Sequence, residues 1–104
     1  MLDVKAWLEQ AGEPVADTSF LPDDNVSPPY ICFLDKQQNE GADLRNDLVN
    51  HSLTVERYSA TSEDNKSLEK LFGDESIKYS KERTWLADEF EFETIYNFDL
   101  LERT

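Results

Sequence analysis

Carboxylates dominate the side chains that could do chemistry in this sequence. Glu91 with Glu93, and Asp23 with Asp24, form close pairs, and on a β-strand residues i and i+2 project to one face. Such a pair can hold a divalent cation or divide into a general acid and a general base. The acid/base role needs a carboxyl whose pKa is lifted by burial or by a like charge. Glu91 and Glu93 fall on the water-facing parity of their strand, so neither metal binding nor proton transfer is expected there.

His51 and Cys32 are the single histidine and the single cysteine. His51 shares the apolar parity of its segment but has no second His, no nearby Cys and no H-x-E or HExxH spacing, so it reads as a hydrogen-bonded strand-end histidine. Cys32 sits in YICFL and reads as a small core residue. One thiol permits no intramolecular disulfide and no thiolate zinc site. The strings GxxxxGK[ST], GxGxxG and GxSxG are absent, and only three glycines are available for a phosphate cradle. No catalytic, cofactor-binding or metal residues are therefore assigned, and an enzyme is not expected.

The element that presents Glu91 and Glu93 is read from its alternation. Phe90, Phe92, Thr94, Tyr96, Phe98 and Leu100 share one parity, while Glu91, Glu93, Ile95, Asn97 and Asp99 share the other. A period of two over this length predicts a half-buried strand with an aromatic core face. Ile95 is the one large apolar residue on the wet parity. Leu48–Tyr58 alternates in the same way, with Val49, His51, Leu53 and Val55 on one side. YICFL (30–34) is apolar on both parities, and Ile77–Arg83 reads as an edge strand guarded by lysines. Residues 15–20 are a candidate short edge strand.

Helical spacing recurs twice. Val4, Trp7, Leu8 and Ala11 form an apolar stripe, with Asp3 at its N-terminal end, Gly12 at its C′ position and Pro14 beyond. Asn65, Leu68, Leu71 and Phe72 form another, with a cap among residues 61–64 and Gly73 as its stop. Leu21–Pro29 reads as a surface loop, and 84–89 as a turn. Asp35–Asp47 is polar without periodicity, and a loop of that length suggests a contact function. Asn39, Glu40, Gly41, Ala42 and Asp43 are its candidate contact residues, together with Ile95. The order implies one α+β domain over residues 1–104, a mostly antiparallel sheet of four or five strands with two helices packed on one face.

Ten basic against 23 acidic residues give a net charge of −13, a field that repels nucleic acid and anionic membrane. Between Thr84 and Glu102 stand six acids and no Lys or Arg. MLDVKAWLEQ has no basic region followed by an apolar run, so a cytoplasmic protein is expected.

The strand PPYICFL, the loop bearing Gly41-Ala42-Asp43, the strand LTVERY (53–58), the helix SLEKLF (67–72) and the closing IKYSKERTWLADEFEFETIYNF (77–98) together resemble the small tail-completion proteins of long-tailed bacteriophages and prophages. The likeness spans about residues 2–100 and lies in the order and types of residue. It implies a virion structural subunit, a tail-terminator or head–tail joining protein without cofactor, made in the host cytoplasm and resident in the tail or neck. It would assemble with itself as a ring, usually sixfold, against tail tube and head connector proteins. In such a ring the acids Glu91, Glu93 and Asp99 would face the lumen and repel passing DNA. A small acidic inhibitor or DNA mimic, bound to a nucleic-acid-binding partner, also fits the charge and size.

Overall fold

The computed structural model describes residues 3–39 and 48–103. Asp3 starts helix α1 (Val4–Glu9), its Oδ1 accepting from the Ala6 N–H at 3.0 Å, which satisfies one of the donors left open in a first helical turn. Gly12 follows at φ +86°, the left-handed conformation that only glycine enters freely. The chain then turns into β1 (Val15–Asp17), passes a short 3-10 turn at Pro22–Asp24, and forms β2 (Tyr30–Asn39) and β3 (Leu48–Ser59). Helix α2 (Lys66–Asp74), β4 (Ser80–Leu86) and β5 (Glu91–Arg103) complete the order.

The five strands make one sheet in the order β1-β2-β3-β5-β4. The β1–β2 pair is parallel, and all the others are antiparallel. The fold is α+β, as the alternation of patterns predicts. At about 3.4 Å per residue, the long central strands span roughly 40 Å, so the molecule is elongated, 50 × 29 × 22 Å.

Both helices cover the same face. Val4 and Leu8 of α1 and Leu68 and Phe72 of α2 form one core with Val15, Ile31, Phe33, Leu53, Val55, Tyr96 and Phe98. Phe72 is at its centre, with ring centroids 4.8 Å from Phe98, 5.3 Å from Tyr79 and Tyr96, and 5.9 Å from Trp7. Offset and edge contacts of this kind add to the burial of the rings themselves.

Several boundaries differ from expectation, each for a local reason. Asp35–Asn39 is strand rather than loop: β2 continues as far as Asn39, paired with Val49. The polar pattern hid it because this part of the sheet runs beyond the apolar core, and its side chains need no apolar face. Asn65, not a residue of 61–64, caps α2. Its Oδ1 accepts from the Leu68 N–H at 3.0 Å while its Nδ2 donates to the Ala11 carbonyl at 3.1 Å, tying the start of α2 to the end of α1. Gly73 does not stop α2. The stop is Ser76, left-handed at φ +55°, with Ile77 N–H bonded back to Phe72 O and Ser76 N–H to Gly73 O, the paired bonds of a Schellman end.

The edge strand begins later than expected, at Ser80, and runs to Leu86, because Trp85 pairs across with Phe92. The turn is consequently 87–90, and Phe90 lies in it. Expected as a core anchor, Phe90 is instead 75 % exposed at φ +55°. The two-residue period through Phe90 could not tell a strand residue from the last residue of the turn before it.

Candidate functional site

Three cations on the helix side are consumed by internal partners. His51, 2 % exposed, faces Asp35 from Nδ1 at 2.9 Å and Glu102 from Nε2 at 2.7 Å. Burial pulls its pKa down, but the hydrogen bonds and charges of Glu102 and Asp35 outweigh this and the net shift is upward. With carboxylates on both ring nitrogens, neither is turned outward to take a substrate proton. Arg57 donates from Nε and Nη2 to Glu13 at 2.9 and 2.8 Å and from Nη1 to the Glu63 carbonyl at 2.8 Å. Lys81 lies 2.7 Å from both Asp64 and Glu69, and Glu69 also accepts from the Tyr96 hydroxyl at 2.6 Å. Each cluster joins a strand to a helix, a loop or another strand, and each is satisfied where it stands.

The other face of the sheet carries neither α1 nor α2. Pairing sets its residues in transverse rows: Cys32, Glu56, Ile95 and Glu82 in one, Tyr30, Tyr58, Glu93 and Thr84 in the next. Tyr58 donates to Glu93 Oε2 at 2.8 Å and stacks on Tyr30 with centroids 5.0 Å apart; Phe20 meets Tyr30 edge-on at 5.5 Å. Burial, and then the Glu93 carboxylate beside it, raise the pKa of Glu56. Glu91 is raised by burial and by Glu89. The Cys32 thiol is 4 % exposed, and burial followed by the nearby Glu56 pushes its pKa up. It is held as the protonated thiol, the form without nucleophilic character.

Farther along the face, the paired rows carry one acid, Asp99, with Lys36 across Ser52 from it. Thr54 Oγ1 donates to Asn97 at 2.8 Å and Ser52 Oγ to Asp99 at 2.9 Å, with Leu34 and Leu101 exposed nearby on the same parity. The acids are thus concentrated in one half of the face.

Glu91, Glu93, Ile95 and Asp99 do share the helix-free face, as their parity requires. Asp99 nevertheless stands eight residues along β5 from Glu91, roughly 26 Å at strand spacing, so the three acids do not form one cluster. Glu56 and Glu82 join Glu93 instead, on either side of a half-buried Ile95. Both lie on strands whose alternation is visible in the sequence, but only the register places them beside Ile95. Asn39 ends β2, while Glu40, Gly41, Ala42 and Asp43 lie outside the described residues.

The sheet ends in an aromatic group of which the sequence places Phe90 and Phe92 on the core parity and Trp85 in a turn. Trp85 is 48 % exposed and packs on Phe92 at 4.8 Å and on Phe90 at 6.5 Å. Among the described residues no three His, Cys, Asp or Glu side chains are grouped to hold a metal ion, and no helix is long and apolar enough to cross a membrane. No protein-family model matches the chain, and no curated protein matches its sequence.

Proposed function

We propose that the chain is a phage virion protein, a tail-completion or head–tail joining subunit that assembles as a ring at the head-proximal end of the tail. The observation that carries this reading is the one-sided sheet. Helices close one face, while the other, with half-buried Ile95 and exposed Leu34 and Leu101, is left open together with the outer edge of β4. An open edge and an open face are the two surfaces that a head-to-tail ring needs, because each subunit must offer different patches to its two neighbours. The resemblance of the sequence to the small tail-completion proteins, in the order and types of its residues, supports the same reading.

Removing the gene should leave filled heads without joined tails, or tails of abnormal length, in electron micrographs; normal infectious particles would overturn the reading. In the ring, Glu91 and Glu93 face the lumen and keep DNA from adhering. Reversing both to Lys should slow DNA ejection, and wild-type ejection would refute that placement.

The carboxylate group of Glu56, Glu82, Glu91 and Glu93 favours a second reading, an acidic inhibitor of a nucleic-acid-binding protein. Such an inhibitor should capture a basic host enzyme with strong salt dependence, whether or not virion assembly needs it.

A further inference from the structure

Strand β4 ends the sheet with an unused edge. It pairs with β5 alone, and all its residues but half-buried Leu86 are exposed. At the opposite edge the Ile31 N–H and the Phe33 carbonyl bond to Pro14 and Thr18 on the β1 side. Bonding direction alternates residue by residue across antiparallel ladders. Carried through the pairing of β2, β3 and β5, that phase turns the N–H and C=O groups of Lys81, Arg83 and Trp85 outward, away from β5. Arg83 and Trp85 lie on the helix-bearing side, since they pair with Thr94 and Phe92. The Arg83 guanidinium donates to the neutral Ser62 carbonyl at 2.6 Å and makes no ion pair among the described residues. Trp85 is 48 % exposed and packs on Phe92, with no cation of the described residues over its ring.

An edge strand with an unpaired cation and an uncovered indole two residues apart on one side is complementary to itself. Laid antiparallel about a twofold axis through Thr84, two copies bring each Arg83 opposite the other's Trp85, and their outward bonding groups meet. The flanking rows, Glu82 with Leu86 and Ser80 with Asp88, set no like charges together. An axis through Arg83, the middle of β4, would set that guanidinium against its own copy.

We infer that two copies of this chain associate through their β4 edges as a twofold pair, with reciprocal contacts of the Arg83 guanidinium and the Trp85 ring at its centre. Main-chain bonds between the edges and the stacked cations supply the attraction, and the sheet continues through both copies with every helix on one side. The inference concerns the free chain and does not rest on the virion reading; in a ring the same edge passes to a neighbouring subunit.

The test is sedimentation equilibrium at about 0.15 M ionic strength, where a Debye length of about 8 Å screens the net charge of −13 on each copy. A monomer–dimer equilibrium is expected. Arg83→Gln, which keeps an amide for the Ser62 carbonyl, and Trp85→Ala should each weaken it at least about fivefold, since each removes both contacts. A mixture of the two variants should associate more tightly than either alone, because one Arg83–Trp85 contact survives in the mixed pair. Thr84→Cys, on the axis in a pair about 4.5 Å apart, should form an intermolecular disulfide on mild oxidation. Ser80→Cys, displaced along the strand, should not, and buried Cys32 takes no part. A chain still monomeric at about 1 mM, a dimer indifferent to both substitutions, a mixture no tighter than its components, or equal cross-linking at Ser80 would overturn the inference. So would closure at more than two copies, since the edges would then join head to tail.

Discussion

Removing the charge of His51 should destabilise the protein in a known direction with pH. The imidazolium donates to Asp35 at 2.9 Å and to Glu102 at 2.7 Å. A neutral ring has one N–H and one lone pair, so it keeps one of these bonds and turns the lone pair on the other carboxylate. The bond lost is one to a charged group, a matter of about 1.5–3 kcal/mol. The folded-state pKa of His51 is raised above the ordinary 6.5. Its stabilisation is therefore complete below about pH 6.5 and disappears as pH rises through the folded value. Urea midpoints measured upward from about pH 6 should fall across that window. His51→Gln should flatten the dependence and cost about 3 kcal/mol at its acid end, the lower limit for removing one partner of a buried ion pair, because Asp35 and Glu102 are each 12 % exposed and partly rehydrate. The chain has one histidine, so its ring protons report the titration alone by NMR. A midpoint that holds or rises over the window, or a ring that titrates below pH 6.5, would refute the reasoning.

The other internal contacts set further expectations. Arg57→Ala should cost about 3–5 kcal/mol, since it strands Glu13, 11 % exposed, and frees the Glu63 carbonyl; a double-mutant cycle with Glu13→Ala in urea measures the coupling. Glu56→Gln should raise stability at neutral pH, because a carboxyl with a raised folded pKa loses stability as pH climbs through its unfolded value near 4.5. The gain over wild type should vanish below about pH 4 in the same urea series. Phe72→Ala should cost about 3–5 kcal/mol by thermal or urea denaturation, as four aromatic rings lose their common neighbour.

Alternation made β3 and the core half of β5 legible, because Leu53, Val55, Tyr96 and Phe98 must all turn to the helices. The two helices were legible from Val4, Leu8, Leu68 and Phe72 at helical spacing. What escaped the sequence was any feature stabilised by a polar partner distant along the chain. Asp35–Asn39 has no apolar signal, yet Asp35 is fixed by His51, sixteen residues on. The cap of α2 looked equally good at several polar residues, and Asn65 wins because its amide also reaches Ala11. Phe90 kept the correct parity for a core residue, and only the turn conformation shows that it leaves the strand. The candidate surface was half legible: Glu91, Glu93 and Ile95 could be placed on one face, whereas Glu56 and Glu82 joined them through a register that no local pattern specifies.

The distribution of charge also bears on whether the acids serve solubility alone. A surface built for solubility intersperses both signs. Here Arg57, Lys81 and His51 each spend their charge on carboxylates on the helix side. In the half of the open face around Ile95, Glu56, Glu82, Glu91 and Glu93 share the surface without a cation in their transverse rows. One local choice there opposes stability: Glu56 is held beside Glu93 with its pKa raised. Isolated conflicts of this kind can be accidents of sequence. A conflict inside a group of four acids, with no cation in their transverse rows to offset it, marks a place where binding rather than folding sets the residue.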